Sequence, residues 1–266
     1  MDRVLMMRVQ AHGCGAEVLL NDIPVGRVGA QGGTLCLPVH EYLLAGSNEI
    51  AMVIDPPAAT STRITTTPKV ADGLVGASLR LLLPRVGQLG SEMHARTLAE
   101  LDWAVGDGDA YKVPHFLSTE ASLPIKFPRW RWLEAPEIDS SEAIKPVAAA
   151  FLQDIAVGLA RGDVDIFLAA SRLRLEELAL AYQQPLTNVT SRLRSRLQLL
   201  HATKAMKMLI PEEESLVLRP CANGRMLECL SPGGEPALRT AASADASSVA
   251  WPVRIAVVNG NCHILR

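Results

Sequence analysis

The side chains through which this chain could do acid–base chemistry lie near its C-terminus: Glu228, with Arg219, Arg254 and His263 on neighbouring apolar runs. A carboxylate sunk in an apolar pocket serves as a base because burial raises its pKa toward working pH. The two arginines and the histidine would then be the polar groups around a small substrate. Cys262 and His263 have the residue types of a nucleophile and its base, yet neighbours along a strand point to opposite faces, which argues against their cooperation. The other histidines, His12, His40, His94, His115 and His201, are scattered, with no two at helical i, i+4 spacing, so no metal site is expected. Cys14, Cys36, Cys221, Cys229 and Cys262 are odd in number and lack the Cys-x-x-Cys spacing of a zinc or redox site. Reduced, buried thiols are the expectation, with a Cys221 to Cys229 bridge across a hairpin as the alternative. No strong catalytic or phosphate-binding motif occurs, and no cofactor is expected.

Two further groups are suited to contact rather than chemistry. Trp130 and Trp132, flanked by Arg129 and Arg131, are two residues apart in a connector. In an extended chain both rings fall on one side, where they dock two domains or meet a ligand or partner, and domain docking is the expected role. Arg172, Arg174, Arg192, Arg194, Arg196, Lys204 and Lys207 make the middle of the chain basic, a pattern that suits an anion or acidic partner. Glu176 and Glu177 interleave with them, so a solvated helix face is the plainer account. Asp163, after Gly162, reads as a helix cap, and the sequon at Asn188 falls in a helical stretch and carries little weight.

Length and composition bound what these residues can be part of. A chain of 266 residues is comfortable for two domains, each with its own core. Apolar residues are 48% of it but aromatic ones only 4%, so the cores are built from aliphatic side chains, against exposed-ring platforms for sugars or single-stranded nucleic acid. Lys plus Arg number 26 against 28 for Asp plus Glu, leaving no global field to draw polyanions or anionic lipid. Neither nucleic acid nor a membrane is therefore an expected partner. The N-terminus breaks its apolar residues with Arg8, and no run approaches the roughly 20 apolar residues of a membrane helix, so the cytoplasm is the expected location.

The elements that must position these groups follow from apolar periodicity. Short apolar runs with frequent turn residues predict strands at 4–10, 17–20, 34–37, 49–54, 77–83, 93–105 and 123–127. Asn21-Asp22 is a turn-forming pair between two of the runs, and Gly46-Ser47-Asn48 launches another strand. The Thr-rich stretch from Pro56 to Pro68 reads as a long loop. After an aperiodic connector, helical spacing begins, with Ser140 or Ser141 as N-cap, and breaks at Arg161-Gly162-Asp163. A short second helix, a third over 173–182 and a fourth from Asn188 to Lys207 are expected. Strands return at 216–221 and 225–230 around Asn223-Gly224, at 235–242, and at 253–258 and 262–265 around Asn259-Gly260-Asn261, with a small-residue loop over 241–248.

Val18, Leu20, Asn21, Asp22, Val25 and Gly26, then Leu43, Gly46, Asn48, Ile50 and Ile54, make the first region resemble galactose-binding-like jelly-roll sandwiches, with Asp22 where that family usually has glycine. The resemblance implies a sandwich fold and a carbohydrate ligand. The second region, from Val147, resembles the cone-shaped α+β fold of nuclear transport factor 2-like proteins and ketosteroid isomerases, and Ala160 to Phe167 is similar to the Gly-Asp turn between that family's first helices. In those isomerases a base aspartate, a tyrosine and a second aspartate do the chemistry. The strands here carry neither residue type.

The sequence thus predicts a β-sandwich domain over 1–127, a linker over 128–145 and an α+β domain over 146–266, its helices packed on a curved antiparallel sheet. A non-enzymatic binding or interaction protein is expected, an adaptor or toxin-neutralising partner for example, taking a protein or a small apolar ligand and able to form oligomers. The alternatives are small-molecule catalysis in the C-terminal pocket and a carbohydrate-binding accessory module.

Overall fold

The computed structural model describes residues 4–60, 65–85, 95–242 and 247–266. His94, the first residues of the strand expected from Met93 and the middle of the loop expected over 241–248 lie outside them. Contacts between Cα atoms group the chain into two units, residues 1–57 with 61–129 and residues 58–60 with 130–266.

The first unit is antiparallel sheet. Alternation in β1 (Met6–His12) buries Met7, Val9 and Ala11 and turns Gln10 and His12 outward. β4 (Gly33–Pro38) and β7 (Val75–Leu83) pair on either side of β1, and β8 (Arg96–Val105) completes a sheet ordered β4-β1-β7-β8. A second sheet is ordered β10-β5-β2-β3, from His115–Leu123, Gly46–Ile54, Ala16–Leu20 and Ile23–Val28. Its inward side chains, Val18, Leu20, Ile23, Ile50, Met52 and Ile54, are fully buried, as are Leu5, Val9, Leu79 and Leu81 of the first sheet's region. This interior is aliphatic, as expected, whereas the core of the second unit also takes in the rings of Phe167 and Trp251.

The turn between β2 and β3 is the tight one that the sequence suggests. Asn21 and Asp22 both have positive φ, 51° and 62°, the two-residue geometry that matches strand twist. Asn21 then reaches further: its Nδ2 donates to Tyr42 O at 2.8 Å and to Asn48 Oδ1 at 3.0 Å, and its Oδ1 accepts from Glu49 N at 3.1 Å. Asn48, 1% exposed, accepts from Leu44 N at 2.7 Å and donates to Leu44 O and Gly46 O.

Elsewhere in this unit the strands depart from expectation. The last strand runs over His115–Leu123 rather than 123–127, since it is the partner of β5 over nine paired residues. β6 (Thr67–Val70), where a loop is expected, pairs with β9 (Ala110–Val113) as a two-stranded ribbon. Every β6 residue is exposed, so no buried face imposes an apolar alternation by which it could be found.

The second unit places four helices before an antiparallel meander. α1 (Ser141–Arg161) starts where Ser140 Oγ accepts the Ala143 amide at 3.4 Å and ends at Gly162, whose φ is 88°. A Cβ on Gly162 would meet the exposed His201 ring at 2.8 Å and push it aside, but the positive φ is what calls for glycine here. α2 (Asp165–Ala170) follows, with the Asp163 carboxylate accepting the Asp165 amide at 3.1 Å. α3 (Arg172–Ala181) and α4 (Leu186–Ala202) complete the set. α4 begins directly after Pro185 and stops five residues before Lys207, where Lys204 takes φ 58° and the Thr203 hydroxyl bonds back to Leu199 O.

β11 (Val217–Cys221), β12 (Met226–Leu230), β13 (Arg254–Val258) and β14 (Asn261–Ile264) pair in sequence order. The strand expected at 235–242 is reduced to isolated bridges, Leu230 to Pro236, Arg239 to Ala250 and Met208 to Thr240. One sheet face, with Leu218, Leu227, Cys229, Ile255 and Ile264, shares a core with Leu152, Ile155 and Leu159 of α1, Phe167 of α2 and Leu197 of α4. The unit is therefore α+β in class, with α1, α2 and α4 packed on one face of an antiparallel sheet. By length and composition α1 could cross a membrane, the one such helix among the described residues, contrary to the expectation that no stretch comes near.

His40, 7% exposed, sits on a 3-10 turn of the first unit with its ring 4.8 Å from that of Phe127. Burial pushes its imidazole from 6.5 down to about 4. Between those values the unfolded chain binds a proton that the folded chain does not, so stability falls as pH drops through this window, by up to about 3 kcal/mol. Urea unfolding at pH 7.5 and 4.5 reads this loss. His40→Gln, neutral throughout, is expected to remove that part of the fall, and an unchanged pH dependence in the variant would mean that His40 protonates in place.

Candidate functional site

Strand pairing brings all four residues singled out for acid–base chemistry to one sheet face. Arg219 lies opposite Glu228, Glu228 opposite Arg254, and His263 opposite Ala256, two residues on from Arg254. With a strand period of two they share the face turned away from the helix-packed core. Glu228 is 6% exposed. Its Oε2 accepts from Arg219 Nε at 3.0 Å and, more closely still, from Arg219 Nη2, while its Oε1 accepts from Arg254 Nη2 at 2.9 Å. Both oxygens are thus taken by guanidinium donors, and His263, half-buried, stands beyond Ala256 outside the cluster. Three strands are cross-linked by one carboxylate, an arrangement whose chemistry is charge neutralisation within the sheet.

A second buried carboxylate organises the tryptophans. Trp130 and Trp132 are both buried; Trp130, itself extended, leads into a 3-10 turn over Arg131–Leu133 that carries Trp132. Glu177 of α3 accepts the Arg131 amide at 2.6 Å and a closer bond from Arg266 Nη1. The Arg266 guanidinium carbon lies 5.4 Å from the centroid of the Trp130 ring. Arg131 reaches Glu176 at 2.7 Å and Leu173 O at 3.1 Å, so the segment carrying both rings is tied to α3.

A third feature escapes sequence reasoning. Thr34, Gln10, Ser78 and Asp102 pair in register across β4, β1, β7 and β8, forming a row of hydrogen-bonding side chains on the outer face of the first sheet. With His12, Gln31 and Leu74 they line an open depression of about 700 Å³. The Asp102 carboxyl is raised from its ordinary value, by partial desolvation first and then by the charge of Glu100 and a hydrogen bond shared with it. Glu100 itself pairs with Arg80 at 2.6 Å. Alternation along β1 and β7 marks these side chains as outward, but only the pairing register aligns them. On β8, Trp103 places its ring 5.4 Å from Tyr111 and 5.6 Å from His115.

The thiols form no constellation. All five are free; Cys36 alone is exposed. The bridge weighed between Cys221 and Cys229 is ruled out by register: Cys221 pairs with Met226 and Cys229 with Leu218, which puts them on opposite faces. Burial raises the Cys229 thiol well above its ordinary value and the Cys262 thiol to about 11. Among the described residues no group of three or more His, Cys, Asp or Glu is placed to hold a metal ion. Comparison of the chain with protein-family models, curated proteins and solved structures finds no match.

Removing one partner of a buried ion cluster strands the others, at a cost of about 3–5 kcal/mol. Glu228→Ala is expected to lose stability on that scale in urea unfolding, and adding Arg254→Met to recover part of it. A loss below about 1 kcal/mol would show that solvent or neighbouring groups satisfy the arginines without the carboxylate.

Proposed function

We propose that this protein acts by binding rather than by catalysis, and that its partner is another protein. The observation that carries this reading is the state of Glu228, the best-placed carboxylate for acid–base work, whose two oxygens are both committed to Arg219 and Arg254. The catalytic alternative at Glu228, Arg254 and His263 loses its base to that cluster. The outer face of β4-β1-β7-β8 is the surface offered instead. Its depression is shallow and open, unlike the enclosing clefts that bury most of a small ligand, and it mixes amide, hydroxyl, imidazole and carboxylate groups with exposed Leu74. That mixture favours a protein surface over a small apolar molecule.

A carbohydrate is the second reading, favoured by the aligned row of Thr34, Gln10, Ser78 and Asp102, which could hydrogen-bond sugar hydroxyls. In fold terms we read the first unit as a jelly-roll sandwich of the galactose-binding-like kind and the second as a cone-like domain of the nuclear transport factor 2-like kind. The Asn21 and Asn48 hydrogen bonds support the first reading, and the order of helices before meander supports the second.

Affinity capture from the native cell tests the main reading, comparing the wild-type chain with Gln10→Arg. The expected outcome is a stoichiometric protein partner whose recovery falls at least tenfold with the variant while its thermal melt is unchanged. Equal recovery with both chains would remove the depression as the site. Saturable binding on a glycan array, lost in the variant, would replace the protein reading with the carbohydrate one.

A further inference from the structure

We propose that α4 is a recognition helix for duplex DNA, presented by a helix-turn-helix made of α3 and α4. α3 ends at Ala181 and α4 begins at Leu186, leaving a four-residue turn, the length typical of this motif. Gln183 takes φ 50° there, and the amides of Gln183 and Gln184 bond back to Leu180 O at 3.3 Å and Ala179 O at 2.9 Å. Behind the turn, Leu175, Ala179 and Ala181 of α3 are buried.

α4 itself is held along one narrow stripe. Leu197 is its single buried residue, with Leu193 and Leu200 partly buried against the core. The remainder is a projecting cylinder about 25 Å long, and a B-form major groove, about 12 Å wide, admits such a helix. Exposed Thr187, Asn188, Ser191, Arg192, Ser195, Arg196 and Gln198 supply donors and acceptors suited to phosphates and base edges. A helix built to dock in a protein groove shows apolar anchors at i, i+3, i+4 and i+7. The exposed leucines of α4, Leu186 and Leu199, sit near opposite ends instead.

Charge points the same way. Residues 178–211 contain five Lys or Arg and no Asp or Glu, which leaves 21 Lys or Arg against 28 Asp or Glu in the rest of the chain. The whole-chain balance, from which no nucleic-acid partner is expected, therefore averages a basic segment, three of whose five cations lie on α4, with an acidic remainder. The glutamates that seemed to interleave are engaged elsewhere: Glu176 with Arg131 and Arg172, Glu177 with Arg266 and the Arg131 amide. Asp165 of α2 does face α4, where its exposed carboxylate pairs with Arg194 at 2.6 Å and so offsets one of the three arginines. Arg192 bonds the Gln184 side chain at 2.8 Å, across the turn, and Arg196 is exposed one turn further on.

The test is fluorescence anisotropy of the full chain with a labelled mixed-sequence duplex of about 25 base pairs. With about three phosphate contacts, affinity is expected to fall about 40-fold between 50 and 200 mM salt. Arg192→Ala/Arg196→Ala is expected to weaken binding at least tenfold and to lower the salt slope by about 2, with an unchanged circular-dichroism melt. Asn188→Ala is expected to relax sequence preference in binding-site selection. No binding by the wild-type chain at the lower salt, or equal binding by the double arginine variant, would overturn the proposal. Displacement of the duplex by polyglutamate as readily as by unlabelled DNA would overturn it too, in favour of an acidic protein partner. No residue of the sandwich depression enters this test, so its outcome is separate from that of the affinity capture.

Discussion

A carboxylate removed from water must be met by cations or donors, and the second unit is organised by two carboxylates treated in this way. Glu228 joins β11, β12 and β13 through Arg219 and Arg254. Glu177 joins α3 to Arg266, just past β14, and to the Arg131 amide in the segment leading to α1. Apolar packing covers one face of the sheet, and these ionic ties hold strands, helices and entering segment in a single arrangement. An uncompensated buried charge is costly enough that each tie excludes the alternatives that would break it. Side chains that look reactive in the sequence are thereby consumed as scaffold, and the groups still free to meet another molecule are those at the surface.

At the turn between β2 and β3 the first unit solves a related problem without charge. Asn21 and Asn48 supply amide groups that satisfy backbone donors and acceptors of the turn between β2 and β3 and of the approach to β5. Neutral amides suit this place because Asn48 is almost wholly buried and a carboxylate there would demand a counter-ion. With turns and core so provided for, the outer row from Thr34 to Asp102 is not needed for cohesion and can face a partner. Each unit thus separates what holds it together from what it presents.

Sequence reasoning recovers the features that rest on short-range pattern. The Asn21-Asp22 turn, the Ser140 cap, the break at Gly162 and the two Asn-Gly hairpins each depend on a few adjacent residues whose conformational preferences are strong. It also puts Arg219, Glu228, Arg254 and His263 on strands near one another. It cannot say that Glu228 is clamped, because that depends on which strands pair and in which register. The same limit hides the row across β4, β1, β7 and β8, and the β6 ribbon, whose partner lies about 40 residues away and whose exposed face carries no apolar alternation. α4 is visible as a helix, but its exposure is not, since Leu193, Leu197 and Leu200 alone suggest an ordinary buried stripe.

The pairing of β5 with β10 also bears on how the chain reaches this structure. Those strands are separated by some sixty residues, whereas β11 to β14 are joined mostly by neighbouring hairpins. Long-range pairing must first overcome the entropy of closing a large loop, so it forms slowly. During synthesis β5 leaves the ribosome well before its neighbour at His115–Leu123, and in the interval it offers an open edge to any other nascent strand. Until β10 is made that edge stays unprotected, and co-translational chaperoning matters most over this interval.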